Sequence, residues 1–223
     1  MSVAETLREV YDRLLARFGP QHWWPGDTPW EVMVGAVLTQ SVSWGNVERA
    51  IDNLKAASAL SPHALRRLPI EELARLIRPT AYYNTKARKL KALVQLTGSA
   101  GDDLGRLFSG DTSELRDRLL GVYGIGEETA DSILLYAAGR PVFVIDAYTR
   151  RILGRMELAR PTAPYQELQR LFTDHLSADA ALYNEYHALL VHLGKEVCRK
   201  PACGGPTCPL SDMCPYPAQI VMA

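Results

Sequence analysis

The sequence predicts an all-α fold, on three observations. Apolar residues recur at three- and four-residue steps along most of the chain. Caps and breakers flank those stretches at helical lengths. Only Pro141 to Ile145 resembles a strand, and it stands alone without a partner.

The first helix is traced by Leu7, Val10, Tyr11, Leu14, Leu15 and Phe18 behind a capping box of Ser2 and Glu5, and Gly19-Pro20 stops it. Trp30 to Leu38 is apolar on nearly every side, as for a helix at the centre of a bundle, and is too short for a membrane span. Further helices are predicted at roughly 44–55, 62–68 behind Ser61-Pro62, 70–77, 84–97 behind Asn84, 112–121 behind Asp111, 127–138, 147–155, 164–176 and 179–193. The connections are short, and neither an internal repeat nor a low-complexity linker is evident. Cys, Pro and Gly accumulate at the C-terminal end, which marks a small ligand-organised module rather than more bundle.

The 223 residues are 47% hydrophobic and 22% charged with a formal net charge of +0, which excludes disordered, collagenous and membrane compositions. Met1 to Val10 carries Glu5, Arg8 and Glu9 and so lacks a signal-peptide core, and the expected location is the cytoplasm. Thiols stay reduced there, so Cys198, Cys203, Cys208 and Cys214 read as metal or cluster ligands before disulfides. Charge is unevenly spread: residues 73–101 hold Arg75, Arg78, Lys86, Arg88, Lys89 and Lys91 with no acid among them.

Leu119 to Asp131 joins two helical segments through a turn with Gly124 and Gly126 two apart. Glycines let a backbone pass close by and aim amides at a phosphate, although an ordinary αα-hairpin has the same look. About twenty residues later, Val144-Ile145-Asp146 opens another helix. With these segments, Trp30 to Gln40 and the four terminal cysteines, nearly the whole chain resembles the helix-hairpin-helix DNA glycosylases of the endonuclease III superfamily. The resemblance implies two helical lobes, a helical barrel at 23–131 and a second domain from 1–22 with 132–223 ending in a cluster loop at 198–214. It also implies a monomer, with no membrane association, on double-stranded DNA that contains a damaged base. DNA would lie across a cleft with a flipped nucleotide facing Asp146.

In that superfamily the aspartate matching Asp146 is the catalytic carboxylate. Breaking an N-glycosidic bond builds positive charge on the sugar, which a fixed carboxylate stabilises. Asp146 also reads as a helix N-cap, and the two roles are compatible. Bifunctional members carry a Schiff-base lysine on the helix after the hairpin, and Glu128 falls at that position. A carboxylate cannot form an imine.

The segments His22-Trp23-Trp24-Pro25, Leu38 to Trp44, Arg78 to Ala87 and Gly124 to Asp131 look like the alkylpurine branch, the endonuclease III-like 3-methyladenine DNA glycosylases. There, residues matching Trp23, Trp24, Pro25 and Trp44 sandwich the extruded base, whereas from sequence alone a tryptophan–proline cluster also reads as core packing. An N-alkylated purine is cationic, stacks on indole and leaves readily without a general acid. Gln40 or Ser41 would edge the pocket or fill the gap that the flipped base leaves.

The Cys-x4-Cys-x4-Cys-x5-Cys spacing closes a loop able to hold zinc or iron–sulfur. The family pattern implies a [4Fe-4S] cluster, with Cys203 two places nearer Cys198 than usual. The module would present Lys195, Arg199 and Lys200 to the phosphate backbone, as the hairpin would Tyr123, Gly124, Ile125 and Gly126. Arg150, with Arg151 and Arg155, would add a second basic group. The expected reaction is hydrolysis of the glycosidic bond of a damaged base, an alkylated purine, with abasic-site lyase action weak or absent. Competing readings are an oxidised-pyrimidine glycosylase with weak lyase action and a damage-binding protein that has lost catalysis.

Overall fold

A computed structural model describes residues 1–200 and 202–216. Among these the secondary structure is helical, with no strand. In chain order the helices are α1 (Val3–Phe18), α2 (Pro29–Leu38), α3 (Trp44–Ala56), α4 (Pro62–Arg67), α5 (Ile70–Leu76), α6 (Tyr83–Ser99), α7 (Leu104–Phe108), α8 (Thr112–Leu120), α9 (Glu127–Ser132), α10 (Ala147–Arg155), α11 (Tyr165–Thr173) and α12 (Ala180–Glu196). Single-turn 3-10 helices occur at Arg78–Thr80 and Gly205–Thr207. A π-helical turn, Ile133–Ala137, prolongs α9.

The chain divides into two compact units, one of Met1–Trp23 with Pro141 onward, the other Trp24–Arg140. The second runs past the expected boundary at 131 because Ile133, Leu134 and Leu135 are buried with α2 in its core. At the centre of that unit, α2 is buried from Trp30 to Leu38, Glu31 included. Thr28 caps it and Pro29 occupies its first turn, where a missing N–H costs nothing. Gly35 lets the Trp24 ring lie against the helix, since a Cβ there would fall 3.1 Å from the indole.

In the other unit, Phe143 and Phe172 stack at 3.7 Å, with Tyr183 and Tyr186 edge-on to Phe143. The Tyr186 hydroxyl donates to the Leu7 carbonyl at 2.7 Å and ties α12 to α1. The strand-like segment Pro141 to Ile145 is not a strand. It has no regular secondary structure, is buried from Phe143 to Ile145, and side chains bond its backbone in place of a neighbouring strand. Gln169 donates to the Phe143 carbonyl at 2.7 Å, and the Ile145 amide donates to the Tyr165 hydroxyl at 3.2 Å.

Most helix boundaries lie close to their expected places. One short helix, α7, escaped the periodicity because five residues carry too few apolar positions to show a repeat. The cap expected at Asn84 is displaced: α6 starts at Tyr83 behind Tyr82, which is left-handed at φ 45°. Among the described residues no helix is long and apolar enough to cross a membrane.

Candidate active site and its surroundings

Asp146 occupies the N-cap of α10, where its Oδ1 accepts from the Thr149 amide at 2.7 Å. Oδ2 stands 3.9 Å from Nε2 of His187 on α12, and the Asp146 side chain remains 11% exposed. Burial lowers the pKa of His187, against the opposing pull of Asp146. Helix α12 can come this close because Gly194 faces Tyr148 of α10; a Cβ there would fall 2.5 Å from the tyrosine ring. Sequence reasoning missed His187, since a histidine inside an apolar helical stretch gives no local sign of what it faces.

The hairpin is built from α8, the turn Gly121–Gly126 and α9. Arg116 of α8 grips the fully buried Asp131 of α9 through two bonds, of 2.6 and 3.1 Å. Val122 and Ile125 turn inward and anchor the loop, while Tyr123 is 57% exposed. Gly124 has φ +79°, and a Cβ there would lie 2.5 Å from the Lys89 side chain, so glycine is needed both for conformation and for space. Gly126 begins α9 without a side-chain cap, which suits an external acceptor at those first amides. Glu128 is exposed in the first turn.

Gln40 does not project from its loop as a plug. Its Nε2 donates to the Gly124 carbonyl at 3.2 Å and to Thr129 Oγ1 at 2.9 Å, and its Oε1 accepts from Lys89 Nζ at 2.5 Å. Ser41, by contrast, is exposed in a left-handed conformation at φ 55°. Beyond the expected residues, Tyr82 is 75% exposed and follows Ala81, also left-handed at φ 49°. The cue for Tyr82 lay in the paired tyrosines before α6, where the outer one has no apolar periodicity to satisfy.

Trp24, Pro25 and Trp44 line one open pocket of about 860 Å³, together with Glu31, Glu48 and Asp52. Trp24 meets Trp44 edge-on, with centroids 5.3 Å apart and an interplanar angle of 86°. No parallel slot therefore exists between those two rings, and a base would lie against a face of one of them. Trp23 lines a different pocket, of about 460 Å³, with Gln21, His192 and Lys195, whose ammonium stands 5.8 Å over the Trp23 ring.

The second basic group is spent inside the protein. Arg151 donates to the carbonyls of Gly194 and Cys198, each at 2.7 Å, and Arg155 donates to the Cys198 sulfur at 3.1 Å. Arg150 donates to the carbonyls of Ala163 and Pro161. Arginines near helix C-termini satisfy exposed carbonyls, and that competes with phosphate binding. Two lysines of the 73–101 cluster are drawn inward in the same way: Lys86 is buried, and Lys91 donates to the carbonyls of Leu65, Arg66 and Leu68. Lys195, Arg199 and Lys200 remain exposed, with Arg199 also 3.1 Å from Glu196.

Cys198, Cys203, Cys208 and Cys214 line one small pocket, walled by Ile152, Met156, Leu193 and Leu210. Among the described residues no set of His, Cys, Asp or Glu side chains converges on a single-ion site. Four thiols lining one apolar pocket fit a thiolate-held metal or iron–sulfur site.

The pattern of the HhH-GPD superfamily base excision DNA repair proteins matches residues 34–177, a span that holds both the hairpin and Asp146. The chain belongs to that superfamily. A protein of Methanocaldococcus jannaschii named "Putative DNA repair glycosylase MJ1434" is 43% identical over 215 residues, covering 94% of this chain and 96% of that one. Endonuclease III of Sulfolobus acidocaldarius is 30% identical over 187 residues, covering 82% and 80%. Among solved structures, the H. pylori 3-methyladenine DNA glycosylase bound to 1,N6-ethenoadenine superposes with a TM-score of 0.73 at 28% identity, over 88% of this chain and 98% of that one. A non-covalent endonuclease III–DNA complex gives 0.84 at 21% identity over the whole of both chains, a likeness of fold. As a member of this superfamily, the chain is a DNA glycosylase of base excision repair.

Proposed function

We propose that this glycosylase acts on double-stranded DNA and hydrolyses the N-glycosidic bond of an alkylated purine without forming a Schiff base. The observation that carries the reading is the Asp146 carboxylate, pinned through one oxygen at the start of α10 and still partly exposed. A carboxylate fixed in this way is preorganised for the positive charge that develops on the sugar as the base departs, and it orients water toward the anomeric carbon. His187 stands beside it at 3.9 Å, its pKa lowered by burial.

The exposed Glu128 occupies the position where bifunctional relatives hold their lysine, so the hairpin helix supplies no amine there. The turn at Tyr123–Gly126 and the exposed Lys195, Arg199 and Lys200 serve the phosphate backbone. Ser41 and Tyr82 are the exposed groups suited to fill the stack when a nucleotide turns out. Supporting the alkylpurine class are the indoles of Trp24 and Trp44, which share one pocket with Pro25 and whose faces attract a cationic base. The H. pylori enzyme that shares the fold binds a modified adenine, which points the same way.

Cys198, Cys203, Cys208 and Cys214 would hold a [4Fe-4S] cluster, whose contribution is to fold the terminal module. Brown colour and broad visible absorption in freshly purified protein are expected, and colourless protein loaded with zinc would contradict this.

The test is a panel of duplexes carrying 3-methyladenine, thymine glycol or an abasic site, each incubated with wild type and Asp146→Asn. Release of 3-methyladenine by wild type alone is expected. Release of thymine glycol in its place would move the enzyme to the oxidised-pyrimidine class. Binding without turnover on every duplex would make it a damage sensor.

A further inference from the structure

Two polar side chains of the Trp24–Arg140 unit, Gln40 and Lys89, meet behind the hairpin turn, a third, Lys86, braces the end of α2 beside them, and none is required for the chemistry assigned to Asp146. Lys89 of α6 donates to Gln40 Oε1 at 2.5 Å. Gln40 in turn donates to the Gly124 carbonyl and to Thr129, one contact on the turn itself and one on the first turn of α9. One helical turn earlier, the buried Lys86 donates to the Leu38 carbonyl at 2.8 Å and to the Thr80 carbonyl at 2.6 Å. It fixes the end of α2, from which Gln40 projects. The Lys89 stem lies where a side chain at position 124 would have to go.

We infer that Lys89, Gln40 and Lys86 form an internal latch that sets the hairpin turn for phosphate binding, with Gln40 a positioning residue and not the group that fills the flipped-base gap. A glycine turn is the most mobile way to present amides, and ordering it at the moment of binding would cost conformational entropy. Gln40 is matched to the task because its amide offers a donor for the Gly124 carbonyl and an acceptor for Lys89 at the same time. A glutamate would keep the lysine contact and repel the carbonyl. The inference rests on the reading that the hairpin grips DNA, and its test separates the two.

Gln40→Ala, Gln40→Glu, Lys89→Met and Lys89→Arg are compared with wild type by fluorescence anisotropy on an undamaged duplex and on one with a stable abasic analogue, at two salt concentrations. Amide hydrogen exchange across residues 121–130 is followed in parallel. A latch predicts that Gln40→Ala, Gln40→Glu and Lys89→Met each weaken both duplexes by a similar factor, about tenfold. The salt dependence is unchanged, hairpin exchange is faster, and Lys89→Arg recovers most of the affinity. Loss confined to the abasic duplex with unaltered exchange would make Gln40 the gap-filling residue. A salt slope reduced by about one in Lys89→Met would make Lys89 a phosphate ligand. Either result overturns the latch. If wild type fails to bind duplex DNA, the DNA-gripping reading falls, while hairpin exchange in the variants still decides the latch.

Discussion

Two helix starts in this protein treat their unsatisfied amides in opposite ways. Helix α10 carries its own anion: Asp146 caps it and accepts from Thr149. Helix α9 begins at Gly126 with no side-chain cap, so its first amides suit an anion supplied from outside. On the proposed function, the same backbone dipole would hold a carboxylate at the site of chemistry in one case and receive a phosphate in the other. On that reading, what would distinguish a catalytic helix start from a gripping one is which partner brings the charge, aspartate at one N-cap and glycine at the other.

The contrast can be broken from either side. The largest effect is expected from Arg116→Ala, which removes the two bonds from α8 to the buried Asp131 of α9. Losing one partner of such a pair costs about 3–5 kcal/mol, measured by chemical denaturation, and duplex binding falls with it. Asp146→Asn should slow base release by about 10²–10³-fold. It should leave the thermal midpoint nearly unchanged, because asparagine caps a helix about as well as aspartate. A large drop in midpoint would mean that the carboxylate is structural. Gly124→Ala forces a side chain into a left-handed residue and against Lys89. A loss of about 1–2 kcal/mol is expected, with weaker duplex binding and an unaltered Asp146 site.

The smallest effect is a pH dependence. Burial, with the neighbouring charge of Lys89 adding to it, lowers the pKa of Lys86 from the ordinary 10.5 to about 8. Between those pH values the unfolded chain holds a proton that the folded chain has released, so this group makes stability rise with pH from about 8 toward 10.5. Thermal melts across that range should show the rise in wild type and a smaller one in Lys86→Met, where Lys91, also lowered by burial, still contributes.

Much of this was legible in the sequence because it is local. The capping box at Ser2 and Glu5, the stop at Gly19 and the caps at Asp111 and Asp146 all act within one helical turn, and each stands where it was read. The all-buried α2 was equally visible, since no face of it carries enough polar residues to meet water. What escaped depends on partners distant in the chain. Gln40 meets Gly124, Arg151 meets Cys198, and Gln169 takes the place of a strand beside Phe143. A basic residue in sequence carries no record of whether it will face a phosphate or a helix carbonyl, and Arg150, Lys86 and Lys91 all chose carbonyls. The tryptophans were read as a sandwich from the family resemblance, and neither that nor residue type can tell parallel rings from the edge-on contact that Trp24 makes with Trp44.

The account turns on Asp146 hydrolysing the glycosidic bond with no covalent link to the sugar. Wild-type protein incubated with a 3-methyladenine duplex in the presence of borohydride tests this directly, with free base, strand breaks and trapped complex counted in the same reaction. Free base is expected to accumulate with matching alkali-labile sites, no strand breaks before alkali and no trapped complex. A borohydride-trapped complex that grows in step with base release would contradict it.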